Sequence, residues 1–252
     1  MIRKHLLAAW IAMATAFWVG GCNEQPAESP KPALLEATPA SATATLADAA
    51  SADEALAELL AGNERFVKGT LEHPRRTPGD FQAVADSQYP VAAIVACADS
   101  RVAPELLFDT GVGELFVIRV AGNVVDGAGV SVKGSIEYAI AELHVPLIVV
   151  LGHSNCGAVK SAVTHIEHQD SLPGAINGLV ELIKPAVTKV QGQPGDIYAN
   201  ATRENVIVGV EKLKTLQPIL APRVKEGSVK VVGGIYDLHT GKVELLDADA
   251  GG

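Results

Sequence analysis

The sequence contains little of what several classes of protein depend on. Its 252 residues include 3 cysteines, and aromatic residues make up only 4% of the chain. The formal net charge is -9, and no stripe of lysine and arginine is interleaved with aromatic residues. The electrostatic attraction that drives nucleic-acid binding is therefore missing, so we expect no nucleic-acid partner. The apolar run at residues 6–19 is too short to anchor the chain in a bilayer, because a spanning helix takes about 20 residues.

Apolar residues, by contrast, are abundant. Hydrophobic residues make up 48% of the sequence and charged residues 19%, which is enough to bury the core of one domain. Residues 23–50 are rich in alanine, proline, threonine, serine and glutamate without an apolar period, a composition typical of a disordered tether. At Ser51 a capping-box pattern precedes leucines at helical spacing. We therefore expect one domain over residues 51–252 that begins with an N-terminal helical arm.

The N-terminus has the pattern of an export signal. Two basic residues give it a positive start, the apolar run follows, and Gly20-Gly21-Cys22 ends it. An ordinary signal peptide over residues 1–21 is one interpretation. The end of the segment also resembles a bacterial lipoprotein cleavage box, which would make Cys22 the lipidated first residue of a tether over residues 22–50. This interpretation predicts a periplasmic protein held to a membrane by its lipid alone, with the outer membrane favoured because Asn23 is not an aspartate.

The order of apolar segments predicts an α/β fold. Three short apolar runs have the length of buried strands, at residues 91–96, 115–120 and 147–151. Two segments read as helices, at residues 130–143 and 158–166. Alternation of this kind indicates βαβ units, so we expect a mostly parallel central sheet flanked by helices. Residues 229–235 and 243–246, with a turn at Gly241, predict a C-terminal edge strand or hairpin.

Two segments that contain potential metal ligands and catalytic side chains follow the first and third of these runs. They are Cys97-Ala98-Asp99-Ser100-Arg101 and His153-Ser154-Asn155-Cys156-Gly157. In an open parallel sheet, ligands bind beyond the carboxyl ends of the strands, where both segments should lie. If the first segment stays extended, its thiolate, carboxylate and guanidinium share one face. Two cysteines and one histidine form the three-ligand set of a catalytic zinc with an open fourth position.

A disulfide between Cys97 and Cys156 is the structural alternative, because an export signal implies an oxidising compartment. A disulfide would give no role to His153, Asp99 or Arg101, so the fuller set of residues favours the metal. Cys156 is also expected at a helix start, where the helix dipole favours a thiolate. The remaining histidines near or beyond these segments are expected on the surface, at positions 73, 144, 165, 168 and 239.

The two segments resemble the signature blocks of the β-class carbonic anhydrases. The resemblance covers residues 61–247 and includes further blocks at residues 114–123, 134–139 and 146–151. Ala98 and Ala103 depart from the signature, where serine and proline are common, but neither change removes a functional group. The resemblance implies zinc as cofactor, with its ligands at Cys97, His153 and Cys156, and a catalytic dyad of Asp99 and Arg101.

The resemblance also assigns residues to the substrate. Those that it matches are Gln88, Phe116, Ala121, Tyr138 and Gly157. Gln88 and the Gly157 N–H would donate hydrogen bonds to substrate oxygens, and the other three would line the carbon dioxide pocket. Ordinary core packing is an equally good explanation of those three. In this family pocket residues come from both chains of a homodimer, so a homodimer or a larger homo-oligomer is implied.

The implied reaction is the reversible hydration of carbon dioxide to bicarbonate and a proton, by attack of zinc-bound hydroxide. Asp99 would accept a hydrogen bond from the zinc-bound oxygen, and Arg101 would keep Asp99 ionised. Two other functions stay open on the sequence. One is a carbonyl sulfide or carbon disulfide hydrolase on the same fold, and the other is a non-catalytic module that binds zinc and bicarbonate.

Overall fold

Five strands form one sheet in the order β2-β1-β3-β4-β5. A computed structural model describes residues 51–125 and 129–246. The strands are β1 Ala92–Ala96, β2 Leu115–Arg119, β3 Leu147–His153, β4 Lys230–Tyr236 and β5 Val243–Leu246. The first four are parallel to their neighbours, and β5 pairs antiparallel with β4. The predicted α/β class and the C-terminal hairpin are therefore confirmed. The predictions for residues 1–50, including the signal peptide and Cys22, lie outside the described residues.

Helices cover both faces of the sheet. They are α1 Ala52–Lys68, α2 Pro78–Ala83, α3 Pro104–Leu107, α4 Val130–Ala141, α5 Gly157–His168, α6 Ala175–Val190, α7 Ile197–Lys214 and α8 Leu220–Lys225. Among residues 51–125 and 129–246, none of these helices has the length and apolarity needed to cross a membrane.

The central strands β1 and β3 are buried along their whole length. Because side chains alternate in a strand, each strand contributes to two cores. Ala93 and Val95 pack in the core that includes α4 and α7, while Ile94 packs in the core that includes α1 and α3. A continuous apolar run is what a strand covered on both faces requires.

The first helix begins as the capping pattern predicts. The Ser51 side chain accepts a hydrogen bond from the Glu54 N–H at 3.2 Å, which satisfies one of the free donors of the first turn. The helix packs on the sheet through Ala55 and Leu59, both of which are buried. The inner face of α1 is thus part of the hydrophobic core.

Candidate metal centre

Three potential metal ligands meet at the carboxyl ends of β1 and β3. Cys97 directly follows β1, His153 is the last residue of β3, and Cys156 is the N-cap of α5. Because β1 and β3 are parallel neighbours, their carboxyl ends lie side by side. The ligand atoms all lie within 4.8 Å of one another, and the three residues are 5%, 0% and 2% exposed. The predicted ligand set is brought together as one buried cluster.

Hydrogen bonds fix which nitrogen of His153 faces the two sulfurs. His153 Nδ1 lies 2.9 Å from the Ser154 carbonyl oxygen, and because a carbonyl only accepts, Nδ1 carries the proton. His153 Nε2 is buried and has no hydrogen-bond partner among the residues that the structure describes. Ser154 is itself held by the β4–β5 hairpin, through its N–H to the Tyr236 carbonyl at 2.9 Å and through its hydroxyl, which accepts from the Leu238 N–H at 2.9 Å. Support of this kind is typical of metal-binding histidines.

A hydrogen bond between the two thiols shifts their pKa values in opposite directions. The bond from Cys156 lowers the pKa of the Cys97 thiol, and the Gly122 N–H, 3.2 Å from Cys97 Sγ, lowers it further. The same bond to Cys97, together with burial, raises the pKa of Cys156. Gly122 can approach this closely because it adopts φ 73°, and a Cβ there would lie 2.8 Å from Ile183 Cδ1.

The donor set fits a zinc ion. Cys97 and Cys156 are free cysteines in the structure, so the disulfide alternative is not the arrangement found. Two sulfurs and a partnerless imidazole nitrogen are soft and borderline donors of the kind that zinc prefers, and a three-ligand set leaves a fourth position open. A cation between the sulfurs would replace the shared proton and stabilise both thiolates.

Asp99 and Arg101 form a bidentate pair beside the cluster. Arg101 Nε donates to Asp99 Oδ1 at 2.9 Å and an Arg101 terminal nitrogen donates to Oδ2 at 2.7 Å. The bond from the Arg101 side chain, with a second from its backbone N–H, holds the pKa of Asp99 well below its usual range. Asp99 Oδ2 lies 3.9 Å from His153 Nε2.

The dyad is formed by a turn and not by an extended segment. The chain turns at Ser100 and Arg101, and the Arg101 N–H donates to Asp99 Oδ1 at 3.0 Å. The expectation that residues 97, 99 and 101 alternate along a strand is therefore wrong in detail. Asp side chains favour such local bonds to the backbone two residues on, which compete with an extended conformation.

The residues assigned to the substrate fall into two groups. Ala121 lies near the cluster, because the next residue, Gly122, donates to Cys97 Sγ. Gly157 opens α5 directly after Cys156, and a Cβ there would meet nothing within 4 Å. Its N–H lies in the first turn of α5, where backbone donors have no intrahelical partner, so it can donate to a ligand.

Gln88, Phe116 and Tyr138 are not at this chain's own cluster. Gln88 is exposed and precedes the amino end of β1, whereas Cys97 follows the carboxyl end. Phe116 lies opposite Ala93, four residues before Cys97, or about 13 Å down the sheet. Tyr138 is 47% exposed and packs on Phe116 with ring centroids 6.1 Å apart. Neither ring is a fully buried core residue.

Residues 92–243 match the family model for carbonic anhydrase. The chain is 41% identical over 187 residues to carbonic anhydrase 2 of Mycobacterium tuberculosis, which covers 74% of this chain and 88% of that protein. It is 39% identical over 176 residues to a carbonic anhydrase of Pseudomonas aeruginosa, with 66% and 78% covered.

Solved structures are similar over the same region. The β-carbonic anhydrase CcaA shares 28% identity with a TM-score of 0.62, covering 76% of this chain and 87% of that one. The Coccomyxa β-carbonic anhydrase, solved in complex with acetazolamide, shares 29% identity with a TM-score of 0.59, covering 81% and 87%.

Proposed function

The chain belongs to the β-class carbonic anhydrase family, and we propose that it catalyses the reversible hydration of carbon dioxide to bicarbonate and a proton with zinc held by Cys97, His153 and Cys156. One observation carries the proposal: His153 Nε2 is buried beside two sulfurs without a hydrogen-bond partner in the described part of the chain. A buried polar atom without a partner is costly, and ligation removes that cost.

Each residue of the centre has a defined task. Zinc, when bound, supplies Lewis-acid chemistry that makes hydroxide available from water near neutral pH. Asp99 Oδ2 faces the same space and can accept a hydrogen bond from a reacting water molecule there. Arg101 keeps Asp99 ionised, so that the carboxylate accepts and does not donate. The Gly157 N–H, at the positive end of α5, is placed to donate to a developing negative charge.

Metal analysis and stopped-flow carbon dioxide hydration on the purified full chain test this proposal. We expect close to one zinc per chain and hydration activity that Cys156→Ser abolishes together with the zinc. His153→Ala should have the same effect, and His239→Ala is its matched control, because it removes an exposed histidine that is not part of the cluster and should leave both unchanged. A zinc-free wild type that is fully active would contradict the assignment. Sulfide release from carbonyl sulfide, measured in parallel, would reveal a hydrolase if it exceeded carbon dioxide hydration.

We propose in addition that the active form is a homodimer or a larger homo-oligomer. β2 lies at one end of the strand order, and the half-exposed pair of Phe116 and Tyr138 lies on and beside it. A second chain against this edge would cover both rings and place them, with Gln88, at the pocket of the partner. Light scattering after size exclusion tests the state of assembly, and a monomer with full activity would contradict this arrangement.

For the N-terminus we propose a signal peptide over residues 1–21, a lipid on Cys22 and a tether over residues 22–50, with the domain following. The support is the Gly20-Gly21-Cys22 segment and the composition shift after it. The proposed location is the periplasm, at the outer membrane. Mass analysis of the N-terminal peptide and membrane fractionation test this, with Cys22→Ser as control. A wild-type protein that fractionates as soluble, with Cys22 unmodified, would contradict it.

A further inference from the structure

Arg119, the last residue of β2, reaches across to the loop that carries both Cys97 and Asp99. Its Nε donates to the Cys97 carbonyl at 3.2 Å, and a terminal nitrogen donates to the Asp99 carbonyl at 2.6 Å. One planar group therefore holds two carbonyls that are two residues apart, which is the geometry that a guanidinium supports and an ammonium does not.

These bonds begin where the pairing of the backbones ends. Beyond β1, the Val120 N–H still donates to the Ala96 carbonyl at 3.0 Å, and the Ala98 N–H donates to the Val120 carbonyl at 3.3 Å. After Ala98 the loop leaves the sheet and turns. The Arg119 side chain binds the carbonyl of that last paired peptide, at Cys97, and extends the connection to Asp99, beyond the backbone pairing.

The two carbonyls belong to the residues whose spacing matters for the reaction. Cys97 supplies a metal ligand, and Asp99 supplies the carboxylate beside the metal position. Fixing the peptide plane after Cys97 and the peptide plane after Asp99 restrains the distance between that thiolate and that carboxylate. Asp99 keeps a second backbone partner, the Val102 N–H at 3.0 Å, so loss of Arg119 would loosen the loop without unfolding it.

We propose that Arg119 is a positioning residue of the carbonic anhydrase centre, which acts through the Cys97 and Asp99 carbonyls and touches neither the metal ligand atoms nor the substrate. This inference rests on the proposed carbon dioxide hydration. The opposing explanation is that Arg119 contributes only to fold stability.

The chain contains a matched control in Arg76. Its guanidinium also donates to two backbone carbonyls, that of Thr110 at 3.0 and 3.3 Å and that of Glu105 on α3 at 3.3 Å. Neither carbonyl belongs to a ligand of the metal centre. Arg76→Met removes these carbonyl bonds together with the contacts of Arg76 to His73 Nδ1 at 2.6 Å and to Asp109 at 3.8 Å, so any loss of fold stability should be at least as large as in Arg119→Met.

The test compares Arg119→Met, Arg119→Lys and Arg76→Met in the full-length zinc protein. Three quantities are measured: kcat and KM for carbon dioxide hydration, zinc affinity by chelator competition, and the visible absorption of the cobalt-substituted protein. We expect Arg119→Met to lower kcat about 10- to 100-fold and zinc affinity about 10-fold, and to alter the cobalt bands. Arg119→Lys should fall between this variant and the wild type. Arg76→Met should keep kcat and the cobalt bands even if its Tm falls.

An Arg119→Met variant with wild-type kcat and cobalt bands, in the same assay that shows an active wild type, would overturn the proposal. So would an Arg76→Met variant with an equal loss of kcat. If Arg119→Met does not fold, Arg119→Lys decides: a several-fold loss of kcat supports the positioning role, and wild-type kcat overturns it. An inactive wild type would instead refute the proposed function, and the zinc affinities and cobalt bands would then still decide whether Arg119 positions the metal site.

Discussion

Two aspartates of this chain each pair with an arginine, in opposite surroundings. Asp99 and Arg101 lie two residues apart on one loop, and their side chains are 18% and 53% exposed. Asp109 is fully buried and accepts from Arg65 Nε at 2.9 Å and from two backbone N–H groups, those of Glu72 and His73. The first pair is local and faces the space beside the metal ligands, whereas the second joins three separate segments. The same two residue types therefore form a local, partly exposed pair in one place and a buried tertiary contact in the other.

The pKa is lowered in both aspartates, but for different reasons. At Asp99 the hydrogen bond from Arg101 is the main cause. At Asp109 burial raises the pKa, and the bonds from the Glu72 N–H, Arg65 and the His73 N–H outweigh it, so that the net shift is downward. Asp109 thus stays ionised only because the folded chain supplies three donors. Its ionisation is coupled to folding, while that of Asp99 depends on one neighbour.

Asp99→Asn should give the largest effect, a loss of kcat, and should distinguish the Asp99–Arg101 pair from the Asp109–Arg65 pair most clearly. The amide is nearly isosteric but donates where acceptance is required, so kcat should fall by about 10²- to 10⁴-fold. Zinc content and Tm should stay close to those of the wild type, because the pair is local and partly exposed. Stopped-flow kinetics, metal analysis and calorimetry measure the three. Full turnover in a zinc-loaded variant would remove Asp99 from the reaction.

Asp109→Asn should show the reverse pattern. With its oxygen kept toward Arg65 and Glu72, the variant loses the charge and the bond from the His73 N–H, so the free energy of unfolding should fall by about 3 kcal/mol. The folded, zinc-loaded variant should keep wild-type kcat. Urea denaturation at neutral pH measures the stability. A variant as stable as the wild type, or a folded variant that has lost turnover, would erase the distinction between the two pairs.

Acid should reduce the difference in unfolding free energy between the wild type and Asp109→Asn. Because folding lowers the pKa of Asp109 below its ordinary value of 3.8, its contribution is fully present above that value and is lost as the pH falls through the folded pKa. The difference in unfolding free energy between the two proteins should therefore be constant between about pH 7 and 5 and shrink below about 4. Zinc loss in acid affects both proteins and cancels in the difference. A difference that grows in acid would contradict the assignment.

The same contrast explains what sequence reasoning could and could not predict. The candidate metal ligands were predictable because Cys97 directly follows β1, His153 ends β3 and Cys156 lies three residues further on, and parallel strands bring their carboxyl ends together. The pairing of Asp109 with Arg65 was not, because 44 residues separate them and no local pattern links them. The positions of the strands along the chain were sufficient to predict the metal centre, but not to predict the ion pair of Asp109 and Arg65.

Two helices show a further limit of local patterns. The sequence pattern predicts no element for the residues of α6 or α7. Pro185 lies inside α6, where proline usually breaks a helix. α7 buries polar residues such as Glu204 and Asn205 beside its valines, which hides the apolar stripe that predicts a helix. Tertiary packing determines both helices, and Glu204 forms an ion pair with Lys189 on α6 at 2.8 Å.

Ser154→Ala should give the smallest effect and show how far the metal centre depends on the rest of the fold. The Ser154 hydroxyl accepts from the Leu238 N–H, and the carbonyl of the same residue orients His153. Loss of this one hydrogen bond costs about 1 kcal/mol, part of which should appear as zinc affinity lowered a few-fold, measured by chelator competition. Ser154→Thr keeps the hydroxyl and should bind zinc as the wild type does. Thr240→Ala is the second control, because the Thr240 hydroxyl donates to Asp237 within the same hairpin and not toward His153. If Thr240→Ala weakens zinc binding as much as Ser154→Ala, the hairpin stabilises the centre as a whole; if only Ser154→Ala does so, the effect passes through the orientation of His153.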